Sequence, residues 1–146
     1  NDGVSIGSST LYLDGIKVGD GGQTTGRLNL TVFPTSDFKF NLALFGADNI
    51  FSNINAEDFD EPDGGNAQLP AYKLFDFGAG YNFDLFGNNA YLRLNINNVF
   101  DEEYYPEMEN NYLATDDSTN YMGINTANRI FPGWGRTWNV GLTYRF

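Results

Sequence analysis

T-W-N-V-G-L-T-Y-R-F, residues Thr137 to Phe146, is the stretch whose reading decides the fold. Trp138, Val140, Leu142, Tyr144 and Phe146 alternate without a break with Thr137, Asn139, Gly141, Thr143 and Arg145. Successive side chains of a β-strand point to opposite sides of the sheet, so one face here is wholly apolar or aromatic. The opposite face is polar and carries a cation. A soluble sandwich uses the same period, but its chain ends fray unless something holds them. An aromatic residue closing such a strand suggests instead that this segment is held in place along its whole length.

The composition suits sheets and tight turns. The 146 residues include 17 glycines, and aromatics make up 16%. Lys and Arg total only 8 against 19 Asp and Glu, for a formal net charge of −11. Nucleic acid is a poor partner for such a chain, because affinity there comes from neutralising phosphates with Lys and Arg. With no cysteine, neither a disulfide framework nor a thiolate metal site can form. The absence of histidine removes the commonest general base and transition-metal ligand. No apolar run approaches the roughly 18 residues of a membrane-spanning helix, whereas a membrane β-strand needs only about 9–11 alternating residues. The first residue is Asn1, and the chain is expected to be a mature or truncated piece of something longer.

The same alternation recurs upstream and predicts six antiparallel strands, at 4–13, 27–33, 38–45, 73–83, 90–100 and 137–146, with almost no helix. The first is weakly patterned because serines blur its faces. The others are clear. Leu28, Leu30 and Val32 oppose Arg27, Asn29 and Thr31; Phe38, Phe40, Leu42 and Leu44 oppose Lys39 and Asn41. Phe75, Phe77, Ala79, Tyr81 and Phe83 oppose Leu74, Asp76, Gly78, Gly80 and Asn82, and Leu92, Leu94 and Ile96 oppose Tyr91, Arg93, Asn95 and Asn97.

Connections alternate between long (14–26, 46–72, 101–136) and short (34–37, 84–89). In a meander, alternate connections lie at opposite ends of the sheet, so all the long loops share one end. Of the 19 acidic residues, 15 fall in those loops. Short turns at one end and long polar loops at the other are the asymmetry of outer-membrane barrels. On that reading the apolar face meets lipid, with Trp138, Tyr144 and Phe146 at the membrane interfaces. Arg27, Lys39, Asp76, Arg93, Asn95 and Arg145 face a wet or plugged interior. A soluble lipid-binding barrel would place the apolar face inside instead, and alternation alone does not choose between the two.

Asn95-Ile96-Asn97-Asn98-Val99-Phe100-Asp101-Glu102-Glu103-Tyr104 is an alternating strand that ends in N-V-F-D-x-x-Y, and it resembles the penultimate strand of TonB-dependent outer-membrane receptors. Gly135-Arg136-Thr137-Trp138 leading to Tyr144-Arg145-Phe146 is similar to their final strand, and Leu69 to Asp76 to the entry of the preceding one. The resemblance covers residues 69–146. It implies an all-β fold in which this chain is the C-terminal six strands of a transmembrane barrel, an antiparallel up-and-down meander. The rest of the barrel and its plug would lie outside the chain. It implies outer-membrane uptake of a scarce nutrient such as a ferric chelate, driven by the TonB system through the plug, with Tyr144 and Phe146 read by the barrel assembly machinery. Six strands alone do not close a membrane barrel, and an open sheet in lipid leaves edge groups unpaired at several kcal/mol each. The expected partners are therefore outer-membrane lipid and the remaining barrel strands.

Within the motif, Asn97, Asn98 and Asp101 have side chains suited to bonding nearby backbone groups, with Phe100 buried against the rim and Tyr104 at the interface. The loop 101–136 is unusually aromatic. Tyr104, Tyr105, Tyr112, Tyr121, Phe131 and Trp134 either pack the loop onto itself or contact substrate, with Arg93 or Arg136 at its base. A connection of this length is commonly functional. The acidic groups Glu57, Asp58, Asp60, Glu61 and Asp63, and Asp101, Glu102, Glu103, Glu107, Glu109, Asp116 and Asp117, are either solvated loop residues or oxygen ligands for Ca²⁺, although EF-hand spacing is absent. No cofactor is expected and no catalytic role is assigned, because the carboxylates lack an apolar pocket to separate their pKa values. Two other functions stand beside uptake: a non-transporting barrel that docks a surface lipoprotein or secreted partner, and a soluble lipid-binding barrel.

Overall fold

The computed structural model describes residues 10–53, 59–60 and 65–146, which contain strands and no α-helix. Four long strands form the body of the main sheet: β1 (Gly21–Val32), β2 (Phe38–Phe51), β4 (Tyr72–Leu85) and β5 (Asn88–Asn97). β10 (Thr137–Tyr144) completes it in the order β1-β2-β4-β5-β10, and the short β3 (Gln68–Leu69) pairs with the end of β2. Every pairing is antiparallel. The meander is open: β1 and β10 each have one edge without a strand partner among the described residues. Two ribbons lie in the last connection, β6 (Glu107–Glu109) with β9 (Arg129–Phe131) and β7 (Asn120–Tyr121) with β8 (Ile124–Asn125).

Register carries the alternation across the whole sheet. Leu30, Leu42, Phe77, Ile96 and Trp138 form one cross-strand row, and Val32, Phe40, Ala79, Leu94 and Val140 the next. On the reverse side Thr31, Asn41, Gly78, Asn95 and Asn139 share a row. Side-chain amides and hydroxyls bond across the strands there, as in Asn95 Nδ2 to Asn139 Oδ1 at 2.9 Å and Thr31 Oγ1 to Asn41 Oδ1 at 3.0 Å. The apolar side is knitted by rings, Phe38 on Phe40 at 4.4 Å and Tyr81 stacked on Phe83 at 5.7 Å. Among the described residues it has no covering layer: Leu28 is 68% exposed and Trp138 71%.

Several expected boundaries shift. The expected loops 14–26 and 46–72 give up residues to the sheet, because β1 begins at Gly21 and β2 runs to Phe51. Polar residues such as Thr24, Thr25 and Asp48 hide these extensions from a periodicity reading. Of the expected first strand, residues 4–9 lie outside the described residues, and residues 10–13 are irregular, held by a Tyr12 N–H to Phe59 carbonyl bond of 2.8 Å. The turn between β4 and β5 is only Phe86-Gly87, both at positive φ (53° and 81°), the conformation of a two-residue hairpin.

The buried core is at the long-loop end. Ala47, Ile50, Ala67, Leu69, Tyr105, Met108 and Ile124 form it, with Phe45 and Tyr72 packing from the polar side of the sheet. Alternation would not bury both Ala47 and Ile50. Asn49, at φ 51°, breaks the alternation between them, its amide held by Asp48 Oδ1 at 2.6 Å.

Past β5 the chain reverses on polar side chains. Asn98, buried and at φ 50°, accepts the Glu102 amide at 2.9 Å and donates to the carbonyls of Glu102 and Trp134 at 2.9 and 3.2 Å. Asp101 accepts the Arg136 amide at 2.6 Å, so both ends of the last connection are tied at one place. Asn97 joins Thr137 at 3.1 Å. Phe100 departs from expectation: it is 76% exposed and rests on Phe75 at 5.5 Å, on the apolar side of the sheet. Asn98→Ala leaves three backbone groups short of a partner, which is expected to cost about 1–3 kcal/mol. Hydrogen exchange checks it: the Glu102 amide should lose protection while amides of central β4 keep theirs.

Candidate functional site

The long connection between β5 and β10 folds onto the rim in two layers. In the first, Tyr104 lies against Tyr72 with ring centroids 4.5 Å apart. Gly133 makes this possible. Its N–H donates to the Tyr104 carbonyl at 2.8 Å, and a Cβ there would run into the Tyr104 ring. In the second, Glu103 takes hydrogen bonds from the phenols of Tyr105 and Tyr121, the latter at 3.1 and 3.3 Å. Tyr105 is buried, its ring edge-on to Tyr121 at 6.4 Å. Asn111 ties the loop to the end of β2: Ser52 Oγ and the Ala67 N–H donate to its Oδ1, and its Nδ2 donates to the Asn53 carbonyl.

The expected contact residues therefore divide. Tyr104 and Tyr105 pack the loop, while Tyr121 spends its phenol on Glu103 and keeps an exposed ring. Tyr112, Tyr121 and Trp134 present surface to solvent, Trp134 at 83%. Tyr112 borders a pocket of about 170 Å³ with Asn128, and Tyr121 a separate one of about 190 Å³. Arg136 sits at the loop base, with Nη1 3.4 Å from the Val99 carbonyl. Arg93 does not. It lies well down the polar face, paired with Gly80 and Gly141, because β5 runs toward the loops only after it. Tyr144 and Phe146 lie at the opposite, short-turn end, with rings 6.3 Å apart. Glu103, expected only as a solvated acid or Ca²⁺ ligand, instead accepts the two phenols, and Asn111 and Gly133 were not among the expected site residues. Their roles depend on partners elsewhere in the fold: Tyr121 for Glu103, Ser52 and Ala67 for Asn111, and Tyr104 for Gly133.

Of the acidic groups, Glu57, Asp58, Glu61 and Asp63 lie outside the described residues. Among the described residues no three carboxylates gather closely enough to hold a metal ion. Glu109 pairs instead with Arg129 at 3.0 Å across the β6–β9 ribbon.

The bond Tyr105 donates to Glu103, reinforced by burial, pushes its phenol above the ordinary tyrosine range. The folded loop thus favours the neutral phenol. That stability is fully present below about pH 10, where unfolded tyrosines ionise, and is lost as pH rises from there toward the higher folded value. Denaturant midpoints measured on either side of about pH 10 should fall more steeply for the wild type than for Tyr105→Phe. Equal slopes would show that this phenol carries no such linkage.

Comparison of the chain with protein-family models, with curated proteins and with solved structures finds no match in any of the three.

Proposed function

We propose that this chain is a sector of a transmembrane β-barrel in a TonB-dependent outer-membrane transporter, taking part in the uptake of a scarce nutrient such as a ferric chelate. The observation that carries the membrane part is the apolar side of the sheet. It is continuous over β1, β2, β4, β5 and β10, bears no charged side chain between its flanking rows, and among the described residues carries no covering layer, with Phe100 resting on Phe75 at its loop-end margin. From Phe75 to Phe83 it rises about 26 Å along the strand at about 3.3 Å per residue. Allowing for strand tilt, that covers most of the apolar band of about 25 Å that outer-membrane barrels present to lipid.

Both borders of the band are aromatic. Phe100, Trp134 and Trp138 are exposed near the loop end, and Phe33, Phe86 and Phe146 at the turn end. Phe86 is the most telling. A non-glycine residue at positive φ costs about 1–2 kcal/mol, and here it holds a phenylalanine 90% exposed at the tip of a turn. The hairpin turn accounts for the φ but not for the exposed ring, and at a membrane interface an aromatic ring is stabilised.

A soluble lipid-binding barrel would turn the same apolar face inward. Against it stands the position of the loop core, which packs on Phe45 and Tyr72 from the polar side of the sheet. A loop folded over that side suits a polar interior. The nutrient-uptake part rests on the resemblance of residues 69–146, and a barrel that docks a lipoprotein or secreted partner is the competing use of the same sector.

Two experiments test the reading. The intact protein should require detergent for extraction, and brominated acyl chains should quench Trp134 and Trp138 after reconstitution. A protein that stays in solution and is not quenched is not a membrane barrel. Deleting residues 105–130 removes the outer layer of the loop and should abolish most uptake of the native nutrient with the barrel still assembled. Undiminished uptake would exclude a ligand-contacting or gating role for this loop.

A further inference from the structure

The outer end of the last connection carries apolar side chains that its own packing does not use. Tyr121, Met122, Gly123 and Ile124 make the tight turn between β7 and β8, with Met122 at φ 50° and Gly123 at φ 81°. Two consecutive positive φ values at such a turn favour Asn, Asp or Gly. A methionine is strained there, and at 47% exposed it recovers little through burial. Tyr112, Leu113 and Tyr121 are exposed as well.

The backbone beneath these side chains is held firmly. Buried Asn128 accepts the Tyr112 N–H at 2.9 Å and donates to its carbonyl at 2.8 Å, and Asn125 donates to the Leu113 carbonyl at 3.0 Å. Ile124, Asn125 and Asn128 line two hollows, one of about 170 Å³ beside Tyr112 and Leu113 and one of about 190 Å³ beside Tyr121 and Ile130. Both fall below the roughly 300–1,000 Å³ of small-molecule sites, and each suits a single amino-acid side chain. Acids follow directly. Asp116 and Asp117 are exposed in the turn that the Ser118 N–H closes on the Thr115 carbonyl, with no cation within 4.0 Å among the described residues. Residues 101–136 hold seven acids against two arginines, and Arg129 is already paired with Glu109.

We infer that this end of the loop docks a basic polypeptide segment, which seats apolar side chains in the two hollows and sets Lys or Arg against Asp116 and Asp117. An apolar centre with a charged rim is the anatomy of a protein interface, where Tyr and Met are enriched. An acidic partner would meet repulsion at the rim, and a small molecule would find no enclosed site. Nothing in this surface depends on lipid, so the partner goes beyond the uptake reading and is tested separately from it.

The intact protein is titrated with a fluorescein-labelled peptide of lysine, glycine and leucine, and with its counterpart in which glutamate replaces lysine. The lysine peptide should bind at least about tenfold more tightly, with an affinity that falls as salt is raised. Met122→Asn supplies a residue that the turn favours, so it should raise the unfolding midpoint and yet weaken the lysine peptide about fivefold or more. Asp116→Asn combined with Asp117→Asn should remove most of the salt dependence. Equal affinity for the two peptides, or unchanged affinity in Met122→Asn, overturns the inference. So does protection of Met122 from hydrogen peroxide in the intact protein, which would mean that the rest of the polypeptide already covers the surface.

Discussion

A one-residue slip between any two long strands would send the apolar side chains of one of them to the polar side of the sheet. Everything else in the structure depends on that slip not occurring. The register is held twice over, by ring contacts such as Phe40 with Phe77 on one side and by Asn and Thr side chains bonding across strands on the other. The polar side matters as much as the apolar one here. An apolar face without a covering layer gains nothing from burial in water, so the face's own packing does not choose the register. Complementary amides and hydroxyls do, since a slip would leave them facing leucine and phenylalanine.

The same face sets the problem that function must solve. Soluble monomers rarely expose apolar patches beyond a few hundred square ångströms, and larger ones mark contact with protein or membrane. Here the buried core is displaced to the loop end, where Met108, Ile124 and Tyr105 close over the top of β2 and β3. The sheet body is left with two exposed faces of opposite character.

Charge is partitioned along the same axis. Among the described residues, most acids lie toward the loops, while Arg27, Lys39 and Arg93 project from the polar side of the sheet. Lys39 lies 5.6 Å above the Tyr91 ring, and Gly80 leaves the space that ring occupies. Asp76 and Asp84, the carboxylates on that side, are engaged by the backbone amides of Asn98 and Gly87 at 2.9 Å. The polar face therefore presents cations within an acidic molecule, a pattern that suits a water-facing interior better than a random surface.

The sequence by itself determined the period, and with it the class of fold: strict alternation in Arg27–Val32, Phe38–Leu44, Phe75–Phe83, Leu92–Ile96 and Thr137–Tyr144 has no helical solution. It also determined which connections are long, because turn residues and acids cluster between the alternating runs. The reversal at Asn98 and Asp101 was legible for the same reason, since local side-chain-to-backbone bonds are written in local residues. Only the tertiary structure decided what depends on partners far along the chain. It extended β2 through Asp48 and Asn49 by pairing this stretch with β1, and it placed Phe100 outside on Phe75 rather than inside the rim. It spent Tyr104 and Tyr105 on loop packing against Tyr72 and Glu103, and set Arg93 away from the loop it was expected to serve. Alternation reports which side a residue takes within one strand. Contacts between strands and loops, which fix height along the sheet and proximity across it, have no period to read.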